Sequence, residues 1–101
     1  MVNGAAHGAV GNLGRISVIV GEEMGDILGC PALSADEDFF ARGGDSLRAV
    51  ELVTRLVARW QPAEGPAADR LQAALVTAVF DGPSPDRLAA VIGAESGAVI
   101  S

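Results

Sequence analysis

The sequence predicts an all-α fold, a small four-helix bundle with a long loop between helices 1 and 2. Three observations carry that expectation. Apolar residues recur at three- and four-residue steps in several segments. No stretch of any length alternates apolar and polar residues as a strand would. Glycines and prolines stand where such helices would have to start or stop. With 101 residues the chain makes one small domain, able to bury about two-thirds of its unfolded surface. Half of the residues are hydrophobic but only 4% are aromatic, so the core must be aliphatic.

Residues 1–11 (MVNGAAHGAVG) are rich in glycine and alanine without an amphipathic period, and are expected to form a flexible tail. The bundle itself is expected over 12–94, with a second flexible tail over 95–101. The first helix starts at Leu13, where Leu13, Ile16, Val20, Met24 and Ile27 fall into helical register. Arg15, Glu22 and Asp26 lie opposite them. Gly29 and Pro31 end it. PALSADEDFFARGG follows as a loop with an acidic middle, pinned to the core by at least one of Phe39 and Phe40. Asp36, Glu37 and Asp38 read as a solvated acidic surface. Cys30 reads as a packing residue at the end of the first helix.

The second helix runs from about Ser46 to Trp60. At about 100° per residue, Ala49, Val50, Leu52, Val53, Leu56, Val57 and Trp60 share one broad apolar side. Arg48, Glu51, Thr54, Arg55, Ala58 and Arg59 share the other. Leu47 breaks the pattern: it is an apolar side chain among the polar positions, directly after Ser46. QPAEGPAADR begins as a loop, and Leu71 to Phe80 reads as a third helix, or as a bent short one. The fourth has a clear start: Ser84 caps, Pro85 takes the first helical position, and Asp86 favours the positive end of the dipole. Leu88, Val91 and Ile92 supply its apolar face.

Composition excludes several function classes. The net charge of −6, with arginine as the only strong cation, argues against nucleic acid, whose phosphates need a basic face. An anionic membrane surface would repel the chain for the same reason. No run approaches the ~18 apolar residues of a membrane span, and the first charged residue, Arg15, leaves no basic signal-peptide region before it. A lone cysteine implies no oxidising compartment, so a cytoplasmic protein is expected.

The stretch RGGDSLRAVEL, from Arg42 to Leu52, carries the chemistry. A serine hydroxyl needs a base to become a nucleophile, and the single histidine, His7, lies in the N-terminal tail. GGDS also lacks the GxSxG spacing of a nucleophile elbow. One histidine and one cysteine supply no metal cluster, and the contiguous acids do not alternate as a calcium loop requires. Two readings of Ser46 remain. In one, Asp45 or Ser46 is simply the cap of the second helix; in the other, the flanking glycines and exposed Leu47 make Ser46 a substrate serine. In the second case a phosphodiester would sit well at a helix N-terminus, whose free N–H groups favour an anion.

ILGCPALSADEDFFARGGDSLRAVELVTRL resembles a peptidyl carrier protein of nonribosomal peptide synthesis, within the phosphopantetheine-binding acyl carrier protein family. VFDGPSPDRLAAVI resembles the family's short third helix and proline-capped fourth. The resemblance implies a four-helix bundle of acyl-carrier-protein type that carries cargo and catalyses nothing. It implies that a phosphopantetheinyl transferase, using coenzyme A and magnesium, attaches 4′-phosphopantetheine to Ser46, whose terminal thiol then bears an aminoacyl or acyl thioester. It assigns partner contact to Gly43, Gly44, Asp45, Leu47 and Arg48. The glycines would let a partner's backbone approach. The partners implied are the transferase, an adenylating or acylating loading enzyme, and downstream condensation or tailoring enzymes. A monomer is expected; Met1 with short tails suggests a freestanding carrier, and an excised domain would look similar.

Two departures from the family pattern stand out. Residues 42–60 hold four arginines and two acids, net +2, where fatty-acid carriers keep this helix acidic. That charge favours the peptide-synthesis branch. The segment 61–78 is longer than usual, which calls for an extended third helix or an inserted turn. A polyketide-type acyl carrier of the same fold and a non-carrier helical interaction module remain as alternatives.

Overall fold

The computed structural model describes the backbone of residues 3–96 and the side chains of residues 13–95. Among the described residues the elements are four helices and no strand: α1 (Asn3–Leu28), α2 (Ser46–Trp60), α3 (Pro66–Asp81) and α4 (Pro85–Ser96). α1 packs against α2 and α4, and α3 packs against the same two helices. The all-α expectation holds. No described helix is long and apolar enough to cross a membrane.

The aliphatic core is the one the periodicity marks. Ile16, Val20 and Met24 come from α1, with Ala49, Leu52, Val53 and Leu56 from α2. They meet Leu71, Leu75 and Val79 of α3 and Leu88, Ala89 and Ile92 of α4. Fully burying each large aliphatic side chain contributes about 1.5–3 kcal/mol. Cys30 is half-buried and packs against this cluster, in the structural role expected of it.

Two helix boundaries differ from expectation. The helical backbone of α1 begins at Asn3, not Leu13. α3 begins at Pro66, not Leu71. Gly65 precedes it with φ 147°, and Pro66 fills the first helical position, where a missing N–H costs nothing. The long segment after α2 is therefore an extended third helix. Ala68 joins its buried face, and only residues 61–65 are left to connect it to α2. α4 starts as expected: the Arg87 N–H donates to Ser84 Oγ at 3.3 Å, and Pro85 is fully buried.

The long loop between α1 and α2 is tied down at several points. The Leu33 N–H donates to the Gly21 carbonyl of α1 at 3.1 Å, and the Leu33 side chain is buried. The Phe39 N–H donates to the Pro83 carbonyl at 2.9 Å. The Asp86 N–H donates to the Ala35 carbonyl, also at 2.9 Å. These bonds fasten the loop to the turn between α3 and α4 and to the first residues of α4. A further strut lies beneath it, where the buried Ser17 hydroxyl of α1 donates to Asp86 Oδ1 at 2.9 Å. The sequence reading gave Asp86 only its role at the helix dipole.

Two acids of the loop, Glu37 and Asp38, are structural. Glu37 accepts from the Ser34 N–H at 2.7 Å and pairs with Arg42. Asp38 Oδ1 accepts from the Phe40 and Ala41 N–H groups, closing the turn that leads to the site. The reading of residues 36–38 as a merely solvated surface is thus corrected for Glu37 and Asp38. The Ser34 N–H, and then Arg42, hold the Glu37 carboxyl below the ordinary glutamate range. A depressed folded-state pKa stabilises the fold above the unfolded value, and that contribution disappears as pH falls through the folded value. A carboxyl titration followed by NMR is therefore expected to find Glu37 below the ordinary glutamate range. Arg42→Ala should move it up, and an unshifted Glu37 would contradict the loop geometry.

Candidate functional site

Asp45 is the cap of α2. Its backbone is extended, with φ −142° and ψ −177°, and its Oδ1 accepts from the Arg48 N–H at 2.9 Å. Its other oxygen, Oδ2, accepts from the Arg48 guanidinium at 3.0 Å. Ser46 is the first residue of the helix and is exposed. With the capping role taken by its neighbour, the Ser46 hydroxyl makes no hydrogen bond to any described residue. The N–H groups of Ser46 and Leu47 likewise find no acceptor among the described residues. The helix therefore presents a free hydroxyl and two free donors at its positive end.

The glycines before it do different work from each other. Gly43 has φ 109°, a region a side chain would strain, and the space where a Cβ would lie is open. Gly44 is crowded: a Cβ there would lie 2.5 Å from the Phe39 ring. Its N–H donates to the Phe39 carbonyl at 3.0 Å. Phe39 is wholly buried, so the chain's own core fixes the approach to Ser46. A side chain would thus meet open space at Gly43 and the Phe39 ring at Gly44.

Leu47 is 80% exposed, as its phase on the helix demands. Val50, placed on the apolar side by the sequence reading, is 55% exposed. It occupies the margin of that arc, one turn from Leu47 on the same surface, and widens the apolar area beside Ser46. The half-buried Phe40 stacks on the exposed Phe80 of α3, with ring centroids 5.8 Å apart. Sequence alone gave no signal for that pairing. The concavity between the end of α2 and the start of α3, lined by Thr54, Gln61 and Glu64, does not include Ser46.

The arginines of residues 42–60 do not form a basic face. Arg55 pairs with Asp26 at 2.6 Å, with Glu51 at 2.8 Å and with Glu23 at 3.2 Å, and these carboxylates, Asp26 foremost, raise its pKa further. Arg59 shares Glu23 at 3.1 Å, while Arg42 and Arg48 hold Glu37 and Asp45. The local net charge of +2 is cancelled by acids of α1 and the loop. It gives no reason to prefer the peptide-synthesis branch. Among the described residues no group of three acid, histidine or cysteine side chains could hold a metal. The side chain of His7 lies outside the described residues.

A family model described as a phosphopantetheine attachment site matches residues 19–59, which run from the second half of α1 through the loop and nearly all of α2. "Probable non-canonical nonribosomal peptide synthetase (NRPS) CymA" of Salinispora arenicola (strain CNS-205) is 40% identical over 81 residues. The part of the chain that holds Ser46 is thus similar to the phosphopantetheine-attachment family. Carriers of this family hold 4′-phosphopantetheine covalently and are themselves non-catalytic. The match to CymA covers 80% of this chain and 1% of that protein, so the chain spans a very small part of its relative. No solved structure matches. The free hydroxyl and free N–H groups at the start of α2 fit a phosphate ester of this kind, lying within the matched segment.

Proposed function

We propose that Ser46 is the attachment residue and that the chain tethers aminoacyl or acyl intermediates during nonribosomal peptide or related biosynthesis. The observation that carries this reading is the free, exposed Ser46 hydroxyl beside an already completed helix cap. In the modification step a bond forms between Ser46 Oγ and the β-phosphorus of coenzyme A. The pyrophosphate bond breaks, adenosine 3′,5′-bisphosphate departs, and a base of the transferase takes the hydroxyl proton. When bound, phosphopantetheine supplies a terminal thiol for thioester formation. Asp45 keeps α2 capped, and Gly43 and Gly44 set the approach to the serine. The likeness to part of a nonribosomal peptide synthetase supports that branch over a polyketide-type carrier.

Incubation with coenzyme A, magnesium and a promiscuous phosphopantetheinyl transferase is expected to add the mass of one phosphopantetheine per chain. An unchanged mass for the folded protein would leave a helical interaction module instead. Leu47 is proposed to contact the transferase or loading enzyme, because a leucine this exposed can be buried only by a partner. Leu47→Ala should cost less than about 1 kcal/mol of stability yet slow modification or loading. Denaturant unfolding and modification rates check both parts. Unchanged rates would reduce Leu47 to an incidental surface residue.

A further inference from the structure

Modification of Ser46 would create an electrostatic problem at the start of α2. A phosphodiester there carries a negative charge, and Asp45, the adjoining residue, already presents a carboxylate to the same helix end. Like charges this close repel, and both anions draw on the same positive dipole. Asp45 cannot turn away without uncapping the helix, because Oδ1 holds the Arg48 N–H.

We propose that Arg48 is a positioning residue that makes the two anions compatible: its guanidinium neutralises Asp45, so the cap persists after Ser46 becomes anionic. This rests on the reading of Ser46 as the attachment residue. The geometry is specific. Arg48 meets Asp45 twice, through its backbone N–H on Oδ1 and its guanidinium at 3.0 Å on Oδ2. The neighbouring arginines are committed elsewhere: Arg42 to Glu37, and Arg55 to Glu23, Asp26 and Glu51. Arg48 is therefore the α2 arginine whose carboxylate partner adjoins the modified residue. The pair is about half exposed, so its effect should be modest and sensitive to salt.

The test compares thermal midpoints of unmodified and phosphopantetheinylated protein for the wild type, Arg48→Met, Asp45→Asn and the double variant. Modification should leave the wild-type midpoint nearly unchanged. In Arg48→Met at low salt it should lower the midpoint by about 2–5 °C, a loss that shrinks in 1 M salt. The double variant should not show that loss, since no carboxylate remains to repel the phosphodiester. An equal shift on modification in all four proteins would overturn the inference. If Arg48→Met resists modification, restoration by Asp45→Asn supports the inference, and failure to restore it counts against it. A wild type that gains no mass would instead refute the assignment of Ser46, a separate failure.

Discussion

Ser46→Ala is expected to abolish phosphopantetheine attachment completely while leaving the bundle folded. The hydroxyl is the atom that would form the new bond, and alanine offers none. Stability should change by no more than about 0.5 kcal/mol. Asp45, not Ser46, closes the first turn of α2, and the serine hydroxyl makes no hydrogen bond among the described residues. Alanine is also the better helix former, which offsets any small loss. Intact mass after incubation with coenzyme A and transferase reads the first effect, and denaturant unfolding reads the second. An alanine variant that still gains the group would end the assignment. A loss of 2 kcal/mol or more would mean that the serine caps the helix after all.

Phe39→Ala should have the largest effect on stability, about 3–5 kcal/mol, from lost burial and the cavity left behind. Phe39 is wholly buried and meets Phe40 edge-on, with centroids 5.7 Å apart. Its ring also lies where a Gly44 side chain would be, so it braces the segment that leads to Ser46. Since small domains are stable by only about 5–15 kcal/mol, such a loss consumes a large part of the total. Modification should slow as well, because Gly44 loses its support. Urea unfolding checks the prediction, and a loss below about 1 kcal/mol would show that the loop is not held by this ring.

The bundle was legible in the sequence because burial follows helical period. The α2 pattern placed Leu52, Val53 and Leu56 in the core and Leu47 in solvent, and all four lie there. Val50 was misplaced because it sits at the margin of the apolar arc, where phase alone does not decide exposure. The start of α3 was missed although Gly65-Pro66 carries the same signal as Pro85, a proline at the first helical position. Glycine and alanine near the N-terminus carry no period, so the helical backbone from Asn3 left no trace that periodicity could detect.

Within the site, the motif singled out Ser46 as a candidate but not the division of labour around it. Which of Asp45 and Ser46 caps α2 depends on backbone geometry, and the structure assigns the role to Asp45. The local charge of α2 is not left unpaired, for a related reason. Arg55 and Arg59 are neutralised by Glu23 and Asp26, which lie far away in sequence, and no window along the chain contains such pairs. The loop acids looked solvated because their partners are backbone N–H groups, which a sequence does not distinguish.

The central claim is that Ser46 carries the arm. Fragment mass spectrometry of the wild-type protein, after incubation with coenzyme A and a promiscuous transferase, tests it most directly. The account predicts one phosphopantetheine per chain, confined to the peptide containing Gly44-Asp45-Ser46-Leu47. A group on the peptide of Ser34, Ser84 or another serine, or no group on any peptide of the folded protein, would contradict it.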